Sequence, residues 1–191
     1  MFYHKGITLF VPDRVYYPRE DSLLLADVLE KRKLKNKKVL DMGCGSGFLA
    51  ILMARSANVT ATDTNSLAVK ITAENAKRNG VKLKALKSDL FKSVKGRYDL
   101  IVFNPPYLPV DDEFRDQAYD GGKDGRTVIR KFIKNTSRYL RKNGSILLLI
   151  SSLTGEKEVL DLFGKNKLKA KVIARKKVPW EELMVIEASI S

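Results

Sequence analysis

The feature that most constrains this chain is a series of short apolar runs separated by helical patterns. Residues 38–41, 58–62, 81–88, 98–103 and 145–151 read as strands, the last of them almost wholly apolar. Between them lie helical patterns over 48–55, 66–79 (closed by Gly80), 125–141 and 156–163. A glycine just past the last periodic residue is a helix stop. Strands this apolar have no polar face to give to water, so the alternation predicts a mostly parallel sheet with helices on both faces. The last two strands, 169–176 and 183–189, meet around Pro179-Trp180 with no helix between them. That predicts a hairpin, and so one antiparallel strand in a seven-stranded sheet. Ahead of the first strand, Leu23, Leu24, Leu25, Val28 and Leu29 share a broad helical face, and Glu20, Asp21 and Ser22 suit a helix start that needs acceptors. At 191 residues the expected organisation is one domain, with 1–35 as an N-terminal extension and first helix and 36–191 as a catalytic core. A chain of this length buries roughly 70% of its unfolded surface.

Composition narrows the chemistry. With 44% apolar and 30% charged residues, the chain is of the globular class. No apolar run approaches the ~18 residues of a bilayer span, and Met1-Phe2-Tyr3-His4-Lys5-Gly6 lacks the regions of a secretory signal. A cytoplasmic protein with no membrane partner is expected. The one cysteine, Cys44, and one histidine, His4, exclude a disulfide framework and argue against a metal site. A histidine triad is excluded too unless His4 is placed for it. Carboxylates, amides, hydroxyls and a bound cofactor are left to carry the chemistry. The 36 Lys+Arg against 22 Asp+Glu give +14, which suits nucleic acid or the ribosome nearby. Lysines scattered in this way serve equally as a solubilising surface.

Asn104-Pro105-Pro106-Tyr107 follows directly on the strand at 98–103. The two prolines offer no N–H, so the segment presents carbonyl oxygens only, and Pro105 holds Asn104 extended. Two readings fit. One is a strand-ending turn; the other is a clamp in which the Asn104 amide oxygen and the Pro105 carbonyl accept both hydrogens of a planar NH2 while Tyr107 covers its face. Upstream, Asp41-Met42-Gly43-Cys44-Gly45-Ser46-Gly47 joins the first strand of the series to its helix, where glycines permit tight turning and close approach of a ligand. Asp41 ends that strand and faces the loop. Asp63 ends the second strand, where an acid binds ribose hydroxyls in nucleotide-binding sheets. Asp89 ends the third and is followed by the apolar Leu90-Phe91, a place suited to an adenine ring and its amino group. Three strand-end carboxylates beside a glycine loop point to a nucleoside-containing cofactor.

In this order, Asp41-x-Gly43-x-Gly45-x-Gly47, Asp63, Asp89-Leu90 and Asn104-Pro105-Pro106-Tyr107 resemble the class I S-adenosylmethionine-dependent methyltransferases of Rossmann-like α/β fold. Val15-Tyr16-Tyr17-Pro18-Arg19-Glu20-Asp21-Ser22 and Tyr119-Asp120-Gly121-Gly122-Lys123-Asp124-Gly125-Arg126 narrow the resemblance to the HemK family of protein glutamine methyltransferases, in its short archaeal and eukaryotic branch. The resemblance implies S-adenosylmethionine as cofactor, with Asp41 and Gly43 at its methionine end, Asp63 at the ribose, Asp89 and Leu90 at the adenine, and Ser22, Gly45 and Asn104 also in contact. It implies Asn104, Pro105 and Tyr107 as catalytic residues, which with Pro106 bind the glutamine of a translation release factor. The alternative acceptor is the N6 amino group of adenine in a nucleic acid, which the same clamp would hold. The resemblance also implies a small zinc-binding activator protein at the sheet edge formed by 81–87. The lysines at 82, 84 and 87 serve equally to keep such an edge from aggregating. The loop 108–123, with Asp111, Asp112, Glu113 and Asp116, reads as part of a substrate gate or as a solvated loop.

Overall fold

Apolar side chains on both faces of successive strands force the sheet into the middle of the molecule. The computed structural model describes residues 1–106 and 125–190. Along them run β1 (Phe2–His4), β2 (Ile7–Leu9), α1 (Glu20–Glu30), β3 (Lys38–Met42), α2 (Phe48–Ala54), β4 (Asn58–Asp63), α3 (Ser66–Arg78), β5 (Lys84–Lys87), β6 (Tyr98–Phe103), α4 (Thr127–Thr136), β7 (Leu140–Ser151), α5 (Glu156–Lys165), β8 (Leu168–Val178) and β9 (Glu181–Ile190). Seven strands form one sheet in the order β5-β4-β3-β6-β7-β9-β8. All neighbours pair parallel except β9, which is antiparallel to both β7 and β8. The expected α/β class, with one antiparallel strand, is therefore the observed one.

Alternate residues of each central strand feed opposite cores. Val39, Leu100, Val102, Leu147, Leu149 and Val185 pack with α1, α2 and the N-terminal hairpin. Leu40, Ile101, Phe103, Ile146, Leu148 and Ile186 pack with α4 and α5. With both faces dry, polar side chains are left to the strand ends and edges.

Three local readings differ from the sequence expectation. The β1–β2 hairpin was not legible, because each strand has three residues. The edge strand expected over 81–88 is shorter: Val81 is used by the end of α3, where Gly80 at φ 68 lets the N–H of Val81 reach the Ala76 carbonyl at 3.1 Å, the Schellman pattern. The helix expected over 125–141 stops at Thr136, passes through one 3-10 turn (Ser137–Tyr139), and β7 begins at Leu140 rather than Ser145. Leu140 continues the helical spacing of Ile129, Phe132, Ile133 and Thr136, so periodicity extends the helix. Extended backbone delivers Leu140 to the same core instead, and a register shift between Tyr98 and Leu100 absorbs the extra residues of β7.

Gly47 sets the angle between the glycine loop and α2. Its φ is 90, and a Cβ there would lie 3.1 Å from the Thr72 Cα and 3.0 Å from its Oγ1. Both the left-handed backbone and the approach of α3 require glycine. Gly47→Ala is expected to cost about 1–3 kcal/mol, read as a fall of several degrees in the thermal unfolding midpoint.

Candidate active site

The C-terminal ends of β3, β4, β5 and β6 open into a cleft of about 1390 Å³. Ser22, Asp41, Gly43, Gly45, Asp63, Asp89, Leu90, Asn104, Pro105 and Pro106 all line it. Every candidate residue within the described chain is thus brought to one place. Tyr107, the acidic loop 108–123 and most of the segment 119–126 lie outside the described residues.

The opposite wall of the cleft is the stretch 11–18 between β2 and α1, which sequence reasoning did not place. Asparagines on and before α3 hold it there. Asn75, fully buried, accepts the Phe10 N–H at 3.0 Å and donates to the carbonyls of Phe10 and Ser46, each at 2.9 Å. Asn79 pairs in the same way with both backbone groups of Thr8, and Asn65 donates to the Arg14 carbonyl. One helix therefore ties the N-terminal arm to the glycine loop. Asn79 reads in the sequence only as the end of a helix, and Asn65 carries no reading there.

Each strand-end acid has its own environment. Asp41 is buried, and its Oδ2 has no hydrogen-bond partner among the described residues. Burial pushes its carboxyl up to about 8, the charge of Asp63 pushes the same way, and a hydrogen bond from the Ala50 backbone N–H opposes them. Asp63 accepts the N–H of Gly45 and of Asn65, both at 2.9 Å. Burial still holds its pKa above the usual value, against those N–H groups and that of Thr64. Asp89 is more than half exposed at the rim and pairs with Lys92 at 2.7 Å. Gly43, at φ 67, leaves only 3.3 Å between the position of a Cβ and the Phe103 ring, so the loop backbone itself forms the floor.

Asn104 leaves the end of β6 with its orientation fixed. Its Nδ2 donates to Asp21 Oδ2 at 2.9 Å, and the same oxygen accepts the Tyr16 hydroxyl at 2.5 Å. The other oxygen, Oδ1, accepts the Ser22 N–H at 2.5 Å. An ionised carboxylate only accepts, so Asp21 must face the NH2 side of the amide. The Asn104 Oδ1 is then left buried with no partner among the described residues. Asp21 is buried, and it is the functional residue the sequence reading missed. It was read as a helix-start acceptor, whereas Arg19 caps α1 without a side-chain hydrogen bond. Nothing in one sequence joins a carboxylate to an amide 83 positions away.

The family described as methyltransferase small domain matches residues 19–176. The chain is 44% identical to MJ0928 of Methanocaldococcus jannaschii, provisionally named a protein N5-glutamine methyltransferase, over 96% of each chain. It is 31% identical to the human methyltransferase HEMK2 over 91% of this chain and 88% of that one. The chain belongs to the HemK branch of this methyltransferase family. Among solved structures it is similar to E. cuniculi Mtq2, in the Mtq2–Trm112 complex responsible for methylating the eRF1 translation termination factor. That similarity has a TM-score of 0.78 and 30% identity over 93% of this chain and 99% of that one. The release factor glutamine methyltransferase of Streptococcus pneumoniae is 33% identical, and this chain spans 62% of its length.

S-adenosylmethionine is the methyl donor of this methyltransferase. It is cationic at its sulfonium and at its amine, and the cleft suits such a molecule. Asp41 and Asp63 are two carboxylates whose burial is offset by no cation among the described residues, and one Asp41 oxygen has no donor among them. A buried carboxyl in that state gains most from a positive ligand. Among the described residues no group of histidine, cysteine or carboxylate side chains could hold a metal, and no helix is long and apolar enough to cross a membrane.

Folding raises the Asp41 pKa from 3.8 to about 8, so this group takes up a proton on folding. Its contribution to stability is complete below the unfolded value and is lost as pH rises through about 8. Without methyl donor, Asp41→Asn is expected to melt higher than the parent at pH 8, and the gap should close toward pH 4. The same variant should bind S-adenosylmethionine about ten- to a hundredfold more weakly, the loss of one charged hydrogen bond. Calorimetry and thermal melts across that pH range check both.

Proposed function

We propose that this methyltransferase modifies the side-chain amide nitrogen of a glutamine in a translation release factor. The observation that carries the reading is the fixed Asn104 amide: Asp21 occupies its donor side and leaves a buried acceptor, unpartnered among the described residues, on a side chain that lines the methyl-donor cleft. Such an acceptor is costly unless a ligand N–H completes it. The solved Mtq2–Trm112 complex, which methylates a termination factor, and the similarity to the Streptococcus release factor enzyme support the choice of acceptor.

In this reading Asp41 and the Gly43–Gly45 loop hold the methionine end of the donor. Asp63 holds its ribose, Asp89 and Leu90 its adenine, and Ser22 and Asn104 complete the contact. The bound donor supplies an electrophilic methyl on its sulfonium. An amide nitrogen is a weak nucleophile because its lone pair is delocalised into the carbonyl. Asn104 Oδ1 and the Pro105 carbonyl accept its two hydrogens, orient it and favour pyramidal nitrogen, and Pro106 and Tyr107 complete the substrate-binding set. Positioning of this kind contributes roughly 7–11 kcal/mol toward lowering the barrier.

A small zinc-binding activator is proposed as partner at β5. This strand is the sheet edge next to β4, with Lys84 and Lys87 exposed and Ala85 and Leu86 half-buried. Co-expression with the activator should raise the soluble yield of the chain, and an unchanged yield with no co-purification would remove it as a partner.

Labelled S-adenosylmethionine offered with release factor, and separately with DNA and RNA, tests the acceptor. Label on the release factor glutamine is expected; label on nucleic acid alone would reject it in favour of adenine. Asn104→Ala should bind the methyl donor nearly normally, since the strand-end acids and the glycine loop make most of that contact, and lose about 10²–10³ in kcat. Asp21→Asn, which can donate to the Asn104 oxygen and so occupy it, should lower kcat in the same direction with little change in the affinity for the donor.

A further inference from the structure

The β8–β9 hairpin carries a feature that neither folding nor methyl-donor binding uses. Its two-residue turn is Pro179-Trp180, closed by the Val178–Glu181 pair. Trp180 has φ 74 and is 97% exposed. Proline followed by positive φ is the type II turn pattern, in which the second position favours glycine or asparagine. A bulky aromatic there strains the backbone and buries nothing. Stability alone would not place tryptophan at this position.

The location of the tip matters. β8 runs in the same direction as β6 and β7, because β9 is antiparallel to both β7 and β8. The tip therefore projects from the same end of the sheet as Asn104, two to three strand spacings to the side and, since Phe103, Leu148 and Ile186 share a level, five residues further along the strands, roughly 20 Å in all. The rim between them is continuous. Asn104 follows β6, the 3-10 turn Ser152–Thr154 follows β7, and the Glu182 N–H donates to Ser152 Oγ at 3.0 Å. Leu153, 51% exposed, sits on that turn.

The charges around the tip are mixed. Arg175 is bound to Glu156 at 2.7 Å and to Glu182 at 3.0 Å. Lys176 and Lys177 are exposed, and Glu181 is half-buried beside them. A nucleic-acid platform pairs aromatics with charge of one sign. Tryptophan and arginine are over-represented in protein-binding hot spots, and charges of both signs beside them suit the polar rim of a protein interface.

We propose that Trp180, with Leu153 on the same rim, is the docking surface for the folded body of the acceptor protein, separate from the clamp that takes its glutamine. The inference rests on the release factor reading above. Docking of this kind holds the acceptor on the enzyme while the clamp selects one side chain.

The test compares the parent with Trp180→Ala and Trp180→Gly on two acceptors, folded release factor and a short peptide carrying the same glutamine. Glycine suits the positive φ, so Trp180→Gly should melt at or above the parent temperature, which separates docking from stability. The Kd for the folded factor, titrated directly, should rise about tenfold or more in both variants. KM should follow it, with kcat at saturation and turnover of the peptide unchanged. An unchanged Kd for the folded factor, or an equal loss on peptide and protein, overturns the proposal. Weaker binding of single-stranded RNA with acceptor binding intact also overturns it and assigns the tip to nucleic acid. If the parent labels the factor and the variants label it equally well, only the docking role falls. If the parent leaves the factor unlabelled, the acceptor reading falls and the docking role with it.

Discussion

Burial of the sheet on both faces is the constraint from which the rest of this molecule follows. Each central strand commits alternate residues to two separate apolar cores, so neither face can hold a polar group without a partner. Polar chemistry is confined to the strand ends, and parallel pairing brings the C-terminal ends of β3, β4, β5 and β6 to one side. The acids ending β3 and β4 and the amide following β6 meet for that reason. Asp41 shows what the confinement costs: a carboxyl buried at the sheet's end, beside a second acid, with one oxygen unpartnered among the described residues. A group in that state favours a cationic guest over an empty cleft.

A second layer of organisation comes from the N-terminal segment. It crosses over the cleft, is tied to α3 by Asn75 and Asn79, and delivers Tyr16 and Asp21 to Asn104. One carboxylate oxygen thereby decides which end of the Asn104 amide turns away from Asp21. The geometry around Asn104 depends on the arm as well as on the glycine loop.

Much of this was legible in the chain. The bounds of β6 matched the apolar run 98–103, because a strand buried on both sides has a sharp compositional edge. The strand-end acids were found because each follows such a run. What misled was periodicity without context. Leu140 has helical spacing to Thr136 yet opens a strand, and Val81 has strand character yet closes a helix cap. The three-residue strands of the first hairpin are too short to carry a period at all.

The sequence by itself determined the fold class, the cofactor type and the residues on the cleft side of the sheet, since hydrophobic alternation and glycine spacing are local properties. Only the tertiary structure decided the orientation of Asn104, the unsatisfied oxygen it presents, and the strained tryptophan on the same rim. Those depend on contacts between segments far apart in the chain, such as Asp21 with Asn104, and on strand direction. Neither leaves a periodic trace in the residues themselves.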